Sequence, residues 1–208
     1  MTGIAVLAIG TLLSGCSGGE GRAESPKRGQ CETLLGDENV EAAVRTTGGS
    51  DVEVGGTPQA DVLAERLVRE AKQWQASDLQ HTSYTGCRVD AFEGGGISGT
   101  VDASVKWSAL SLGMMDSPKN SRTWRQVNES VYVETESGPG HSRLIAKCDV
   151  PGAIESLPSD LPLQFDVTGV TLGTELRWEL LSVFARSVVE EMECEKPPVI
   201  PSSLPAVA

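Results

Sequence analysis

The chain has 208 residues, enough to bury the core of one ordinary domain without a metal or cofactor to hold it together. Its 17 basic and 29 acidic side chains leave a formal charge of −12. That balance excludes a broad nucleic-acid surface, because such affinity rests on Lys and Arg neutralising phosphates.

Residues 1–15 carry no charged side chain and include an apolar run from Ile4 to Leu13. Ten residues are too few to span roughly 30 Å of hydrocarbon as a helix, so the run reads as the apolar region of a signal peptide over 1–15. No Lys or Arg precedes it, and the expected explanation is a start codon lying upstream of Met1. The run ends in Leu13-Ser14-Gly15-Cys16, which resembles the bacterial lipobox. The resemblance implies cleavage before Cys16 and a diacylglyceryl group on its sulfur. Burying an acyl chain is worth about 0.8 kcal/mol per methylene, so two chains anchor stably where one binds reversibly. The expected location is therefore the outer face of a cytoplasmic membrane, with the membrane as partner through a lipid anchor. Residues 16–30 then read as the lipidated cysteine and a flexible tether, since SGGEGRAESPKRGQ holds no apolar residue larger than Ala23.

A folded domain is expected over 31–196. It opens at Cys31-Glu32-Thr33-Leu34-Leu35, followed by a short helix from Asp37 with Val40, Ala43 and Val44 at helical spacing and Gly48-Gly49 to stop it. A second helix is expected over Pro58 to Ser77, with Thr57 as cap, Leu63, Leu67, Ala71 and Trp74 on one face, and Glu65, Arg69 and Lys72 opposite. From Ser83 the period becomes two. Val101, Ala103, Val105, Trp107 and Ala109 alternate with polar residues as in a half-buried strand. Ser83 to Phe92 pairs with that strand across the Gly94-Gly95-Gly96 turn. Trp124 to Thr135, Ser142 to Val150 and Leu163 to Val170 are further strands. A helix from Thr174 to Glu193 carries Leu176, Leu180, Val183, Phe184 and Val188. Strands flanked by helices without βαβ alternation define an α+β class: a single domain with an antiparallel sheet covered by helices. Residues 197–208 hold four prolines and read as a disordered tail whose removal leaves the melting temperature nearly unchanged.

Cys31, Cys87, Cys148 and Cys194 form an even set, and an oxidising compartment makes two disulfides the default. Three connectivities are open. The choice made here is Cys31 to Cys87 and Cys148 to Cys194, because each pair then links a helical segment to the sheet it must cover.

Motifs for chemistry are few. Every histidine-dependent mechanism must use His81 or His141, and both stand in polar, turn-rich surroundings expected to be exposed loops. Gly96-Ile97-Ser98-Gly99-Thr100 lacks the last glycine of a nucleophile elbow. No close Cys or His pair offers a zinc site, and no phosphate-binding glycine loop is present. No catalytic, cofactor or metal residue is therefore assigned. Trp74, Trp107 and Trp178 are expected in the core, while Trp124, between Arg122 and Arg125, is the best candidate for an exposed recognition aromatic.

The lipobox, the polar tether, the Cys31-Glu32-Thr33-Leu34-Leu35 opening and the strand cysteine Cys87 together resemble the lipoproteins of unknown function in high-GC Gram-positive bacteria. The resemblance extends to about Gly113 and implies a secreted, lipid-anchored protein; it supplies no catalytic residue. The expected function is non-enzymatic binding of an envelope protein or a small ligand outside the membrane. The rival is an extracytoplasmic hydrolase.

Overall fold

A computed structural model describes residues 26–49, 51–74, 81–135, 138–153 and 161–203. The signal segment, Cys16, the first part of the tether and residues 204–208 lie outside the described residues. Helices α1 (Pro26–Leu35) and α2 (Asp37–Thr47) lead into strand β1 (Asp51–Gly55) and helix α3 (Ala60–Gln73). Strands β2 (Tyr84–Glu93) and β3 (Gly96–Trp107) follow, then a single turn α4 (Leu112–Met115). Strands β4 (Trp124–Asn128), β5 (Val131–Glu134), β6 (His141–Ala146) and β7 (Leu163–Thr168) precede the long helix α5 (Thr174–Glu191).

All seven strands form one antiparallel sheet in the order β1-β2-β3-β7-β6-β5-β4. Two meanders meet at the centre. β1 to β3 run inward from one edge; the chain then crosses to the far edge and returns strand by strand until β7 pairs with β3. The α+β class and the antiparallel sheet are as the periodicity indicated, and both disulfides, Cys31–Cys87 and Cys148–Cys194, have the pairing chosen from sequence.

Alternation assigns each strand a buried face. Val101, Ala103, Val105 and Trp107 of β3 lie beside Leu163, Phe165 and Val167 of β7, and all are buried beneath the helices. Phe165 meets Phe184 of α5 edge to face, ring centroids 5.6 Å apart, and the Trp107 indole N–H donates to the Leu67 carbonyl of α3 at 3.0 Å. Gly86 lies where α1 and α5 close on β2: a Cβ there would stand 2.8 Å from Phe184 Cε2 and 3.1 Å from Leu34 Cδ2, so only glycine allows this approach.

On the opposite face a small second cluster of Met115, Trp124, Tyr132 and Ile145 seats α4, and the Tyr132 hydroxyl donates to Asp116 at 2.8 Å. Burial and the Asp116 carboxylate beside it push the Tyr132 phenol up to about 12.

Several boundaries are corrected. α1 begins at Pro26, so the last five residues assigned to the tether are helical. Proline suits a first helical position, Arg28 pairs with Glu32 at 3.0 Å one turn on, and Cys31, Leu34 and Leu35 are buried. α3 starts two residues later than expected, because the Thr57 N–H is committed to the Thr85 carbonyl at 2.9 Å and Pro58 is buried ahead of Gln59. The strand expected over Trp124 to Thr135 is a hairpin: Asn128 Oδ1 accepts from the Ser130 N–H at 3.0 Å and turns the chain.

The tail reading is also overturned for residues 197–203. Pro198 is buried and Ile200 is 7% exposed. Prolines deny the segment its own hydrogen-bond ladder but leave its carbonyls as acceptors. Asn128 Nδ2 donates to Val199 O at 2.8 Å and Ser182 Oγ to Pro201 O at 2.5 Å, which docks the chain.

Candidate functional site

Both histidines depart from the exposed-loop reading, because each is drawn against carboxylates by tertiary structure. His81, just ahead of β2, stacks on Trp74 with ring centroids 4.0 Å apart and planes 12° from parallel. Its Nδ1 lies 3.3 Å from Glu70 Oε1, which also accepts the Thr82 N–H at 3.2 Å. Glu70 projects from the last turns of α3, whose other face carries Leu63, Leu67 and Ala71 into the core. One carboxylate thus clips the chain entering β2 onto the end of α3.

A cleft of about 350 Å3 opens at this clip. Trp74, half-buried Glu70 and half-buried Tyr84 form its inner wall, and exposed Arg66, Arg69, Gln73 and Thr82 form its rim. Burial raises the Tyr84 pKa, and the Glu70 charge raises it further, so the phenol stays protonated. Glu70 Oε2 is buried without a hydrogen-bond partner. Arg69 pairs with Glu65 at 2.5 Å, whereas Arg66 bonds the Thr57 hydroxyl at 3.2 Å and has no carboxylate within ion-pair distance among the described residues. The arrangement converges donors, an acceptor and an aromatic wall on one concavity, as small-ligand sites do.

The second cluster lies on the face of the sheet away from the long helices. Asp166 of β7 accepts from Arg143 Nε at 2.7 Å and from Gln164 Nε2 at 2.7 Å, and His141 Nε2 lies 2.9 Å from it. His141 Nδ1 is 3.8 Å from Glu134 Oε2, and Arg143 Nη1 reaches Glu134 Oε1 at 3.4 Å. Both His141 nitrogens therefore face carboxylate oxygens. That geometry ties β5, β6 and β7 together, and among the described residues it brings no hydroxyl into hydrogen-bond contact with the imidazole.

Other residues named from sequence fall elsewhere. Trp124 is 5% exposed beneath α4, which corrects its reading as an exposed aromatic: its neighbours Arg122 and Arg125 are exposed while the indole packs with Met115, Tyr132 and Ile145. The four domain cysteines are in disulfides. Among the described residues no group of three His, Cys, Asp or Glu could hold a metal ion, and no helix is long and apolar enough to cross a membrane. Glu70, Arg66 and Tyr84 were not singled out by sequence, because their meaning comes from the return of β2 alongside α3. The one local signal was Trp74 and His81 flanking the same connection.

The fold and clefts define a disulfide-stapled α+β domain with a single antiparallel sheet. The chain matches no protein-family model, no characterised protein and no solved structure.

Proposed function

We propose that the protein is a lipid-anchored cell-envelope binding protein, held at the membrane by Cys16 and engaging its ligand through the cleft between α3 and β2. The observation that carries the binding reading is the cleft itself, where Arg66, Arg69, Glu70, Gln73 and Thr82 converge beside Trp74 on elements locked into the core. The two disulfides support an oxidising compartment outside the membrane. The placing of His141 between Asp166, 2.9 Å from Nε2, and Glu134, 3.8 Å from Nδ1, with no hydroxyl bonded to it among the described residues, weighs against the hydrolase alternative at that cluster.

Two measurements test the reading. Labelling cells with a radioactive fatty acid should mark the wild-type chain and leave Cys16→Ser unlabelled and released from membranes; label on the variant would end the anchoring claim. Screening against ester, peptide and glycoside substrates should give no turnover, and robust turnover lost on changing one polar residue would replace the binding reading with the hydrolase.

A further inference from the structure

We infer that the cleft between α3 and β2 takes a small zwitterion, its carboxylate on Arg66 and Arg69 and its ammonium group toward Glu70. The inference rests on the binding reading above and names its ligand class.

Charge selects the cleft. The groove between α1, α3 and α5, about 510 Å3, is lined by Asp61, Glu190 and Glu191 and by no base. The cleft beside the docked tail, about 570 Å3, balances Lys147 and Lys196 against Glu129 and Asp149, and Lys147 is already paired with Asp149 at 3.3 Å. Of these three, only the α3–β2 cleft has a positive lining among the described residues, with Arg66 and Arg69 against Glu70; Arg69 is shared with Glu65 at 2.5 Å, so Arg66 supplies the uncommitted charge. In a chain of charge −12 this is a local inversion, and it favours an anionic group at the rim.

Position refines the class. Arg66 and Arg69 are three residues apart on α3, so their side chains rise from one face of the helix. Arg66 in particular has its charge uncommitted to any carboxylate among the described residues, and a guanidinium matches a carboxylate's two oxygens in a fork. Glu70 is the next residue after Arg69 and places the one negative charge of the lining among the described residues on the inner wall. Its Oε1 accepts from the Thr82 N–H and lies 3.3 Å from His81 Nδ1, while Oε2 is buried just behind with no donor. A ligand carrying only a carboxylate would leave that negative wall opposing it; one that adds an ammonium group meets both signs. The volume of about 350 Å3 suits an amino acid or a dipeptide.

The test compares three probes on the full chain in detergent by isothermal titration calorimetry: alanylalanine, its N-acetyl derivative and its C-terminal amide. The free dipeptide should bind with a Kd on the order of 1 mM or tighter, and blocking either end should weaken it at least about tenfold. Arg66→Ala, at an exposed position, should reproduce the loss seen on amidation. Glu70→Gln, which can still accept from the Thr82 N–H, should erase the preference for a free amine. If Glu70→Gln fails to fold, the probe series on the unaltered chain still decides. Equal affinity for all three probes, or binding of none, overturns the ligand class. Those outcomes leave fatty-acid labelling of Cys16 to judge the anchoring separately, and loss of label would leave the calorimetry intact.

Discussion

Asp102 and Asp166 occupy neighbouring strands, since Asp102 pairs with Thr168 and Asp166 sits two residues back along β7. Their proton affinities move in opposite directions. Burial raises the Asp102 pKa, and although Arg88 pulls it down, the Asp90 and Asp166 charges push it up again, for a net rise. Burial also acts upward on Asp166, but there hydrogen bonds from His141, Arg143 and Gln164 and the charge of Arg143 outweigh it, for a net fall. A depressed carboxylate contributes stability that is present above the unfolded value of about 3.9 and is lost as pH falls through the folded one. Asp166→Asn should therefore destabilise by about 3 kcal/mol at pH 7, because Arg143 loses the nearer of its two carboxylates and keeps only Glu134 at 3.4 Å, and should flatten the acid limb of the stability curve. For Asp102 the sign reverses: the native state favours the protonated form, so stability is lost as pH rises through the folded value. Asp102→Asn should raise the melting temperature at pH 7. Denaturant unfolding of both variants from pH 3 to 8 checks the pair, and parallel curves would contradict it. Gly86 offers a steric test at the same scale. Gly86→Ala must displace the Phe184 ring, at a cost of about 1–3 kcal/mol by chemical denaturation.

The docked tail shows how an element without regular hydrogen bonds still contributes to stability. Truncation after Lys196 removes the burial of Pro198 and Ile200, strands the buried Ser182 hydroxyl and breaks the exposed bond from the Asn128 amide. Burying one isoleucine is worth about 1.5–3 kcal/mol, so a net loss of about 2 kcal/mol, or roughly 4–8 °C in melting temperature, is expected by calorimetry. An unchanged transition would restore the reading of a free tail. Elements with a clear period were legible in sequence: the alternation of Val101 to Trp107 and the stripe from Leu176 to Val188 became β3 and α5. β1 is not legible although Asp51-Val52-Glu53-Val54 alternates, since five residues between two glycine pairs read equally as a loop. The docking of the tail is not legible, because proline content reports on hydrogen bonding and says nothing of whether Ile200 finds a pocket. The candidate cleft was least legible, because Glu70 acquires its role from His81 and Thr82, eleven and twelve residues away, and no local pattern encodes that return.

At the scale of the molecule, the sheet is two meanders joined at β3 and β7, and each disulfide staples one of them. Cys31–Cys87 ties α1 to β2, Cys148–Cys194 ties the end of β6 to the end of α5, and neither bridge crosses the β3–β7 seam. The seam therefore depends on its ladder and on α5, which packs across β7, β6 and β3. The two bridges close loops of similar length, with sequence separations of 56 and 46 residues. In the chain-entropy model each is worth about 4 kcal/mol and they differ by only about 0.2 kcal/mol. Any larger difference between them must arise in the native state, and burial supplies one: Cys31 and Cys87 are 0% and 1% exposed, whereas Cys148 is 4% exposed and Cys194 is half-buried. Replacing Cys31 and Cys87 by serine leaves two hydroxyls in an apolar core, each costing about 1–3 kcal/mol when it finds no partner, while alanine avoids that penalty. The double serine variant at 31 and 87 should thus be less stable than the double alanine variant by about 2 kcal/mol or more. At 148 and 194 the two substitutions should differ by less, because the serine at 194 can reach water. Urea unfolding of the four double variants measures both differences, and equal serine-to-alanine gaps at the two bridges would show that burial does not distinguish them.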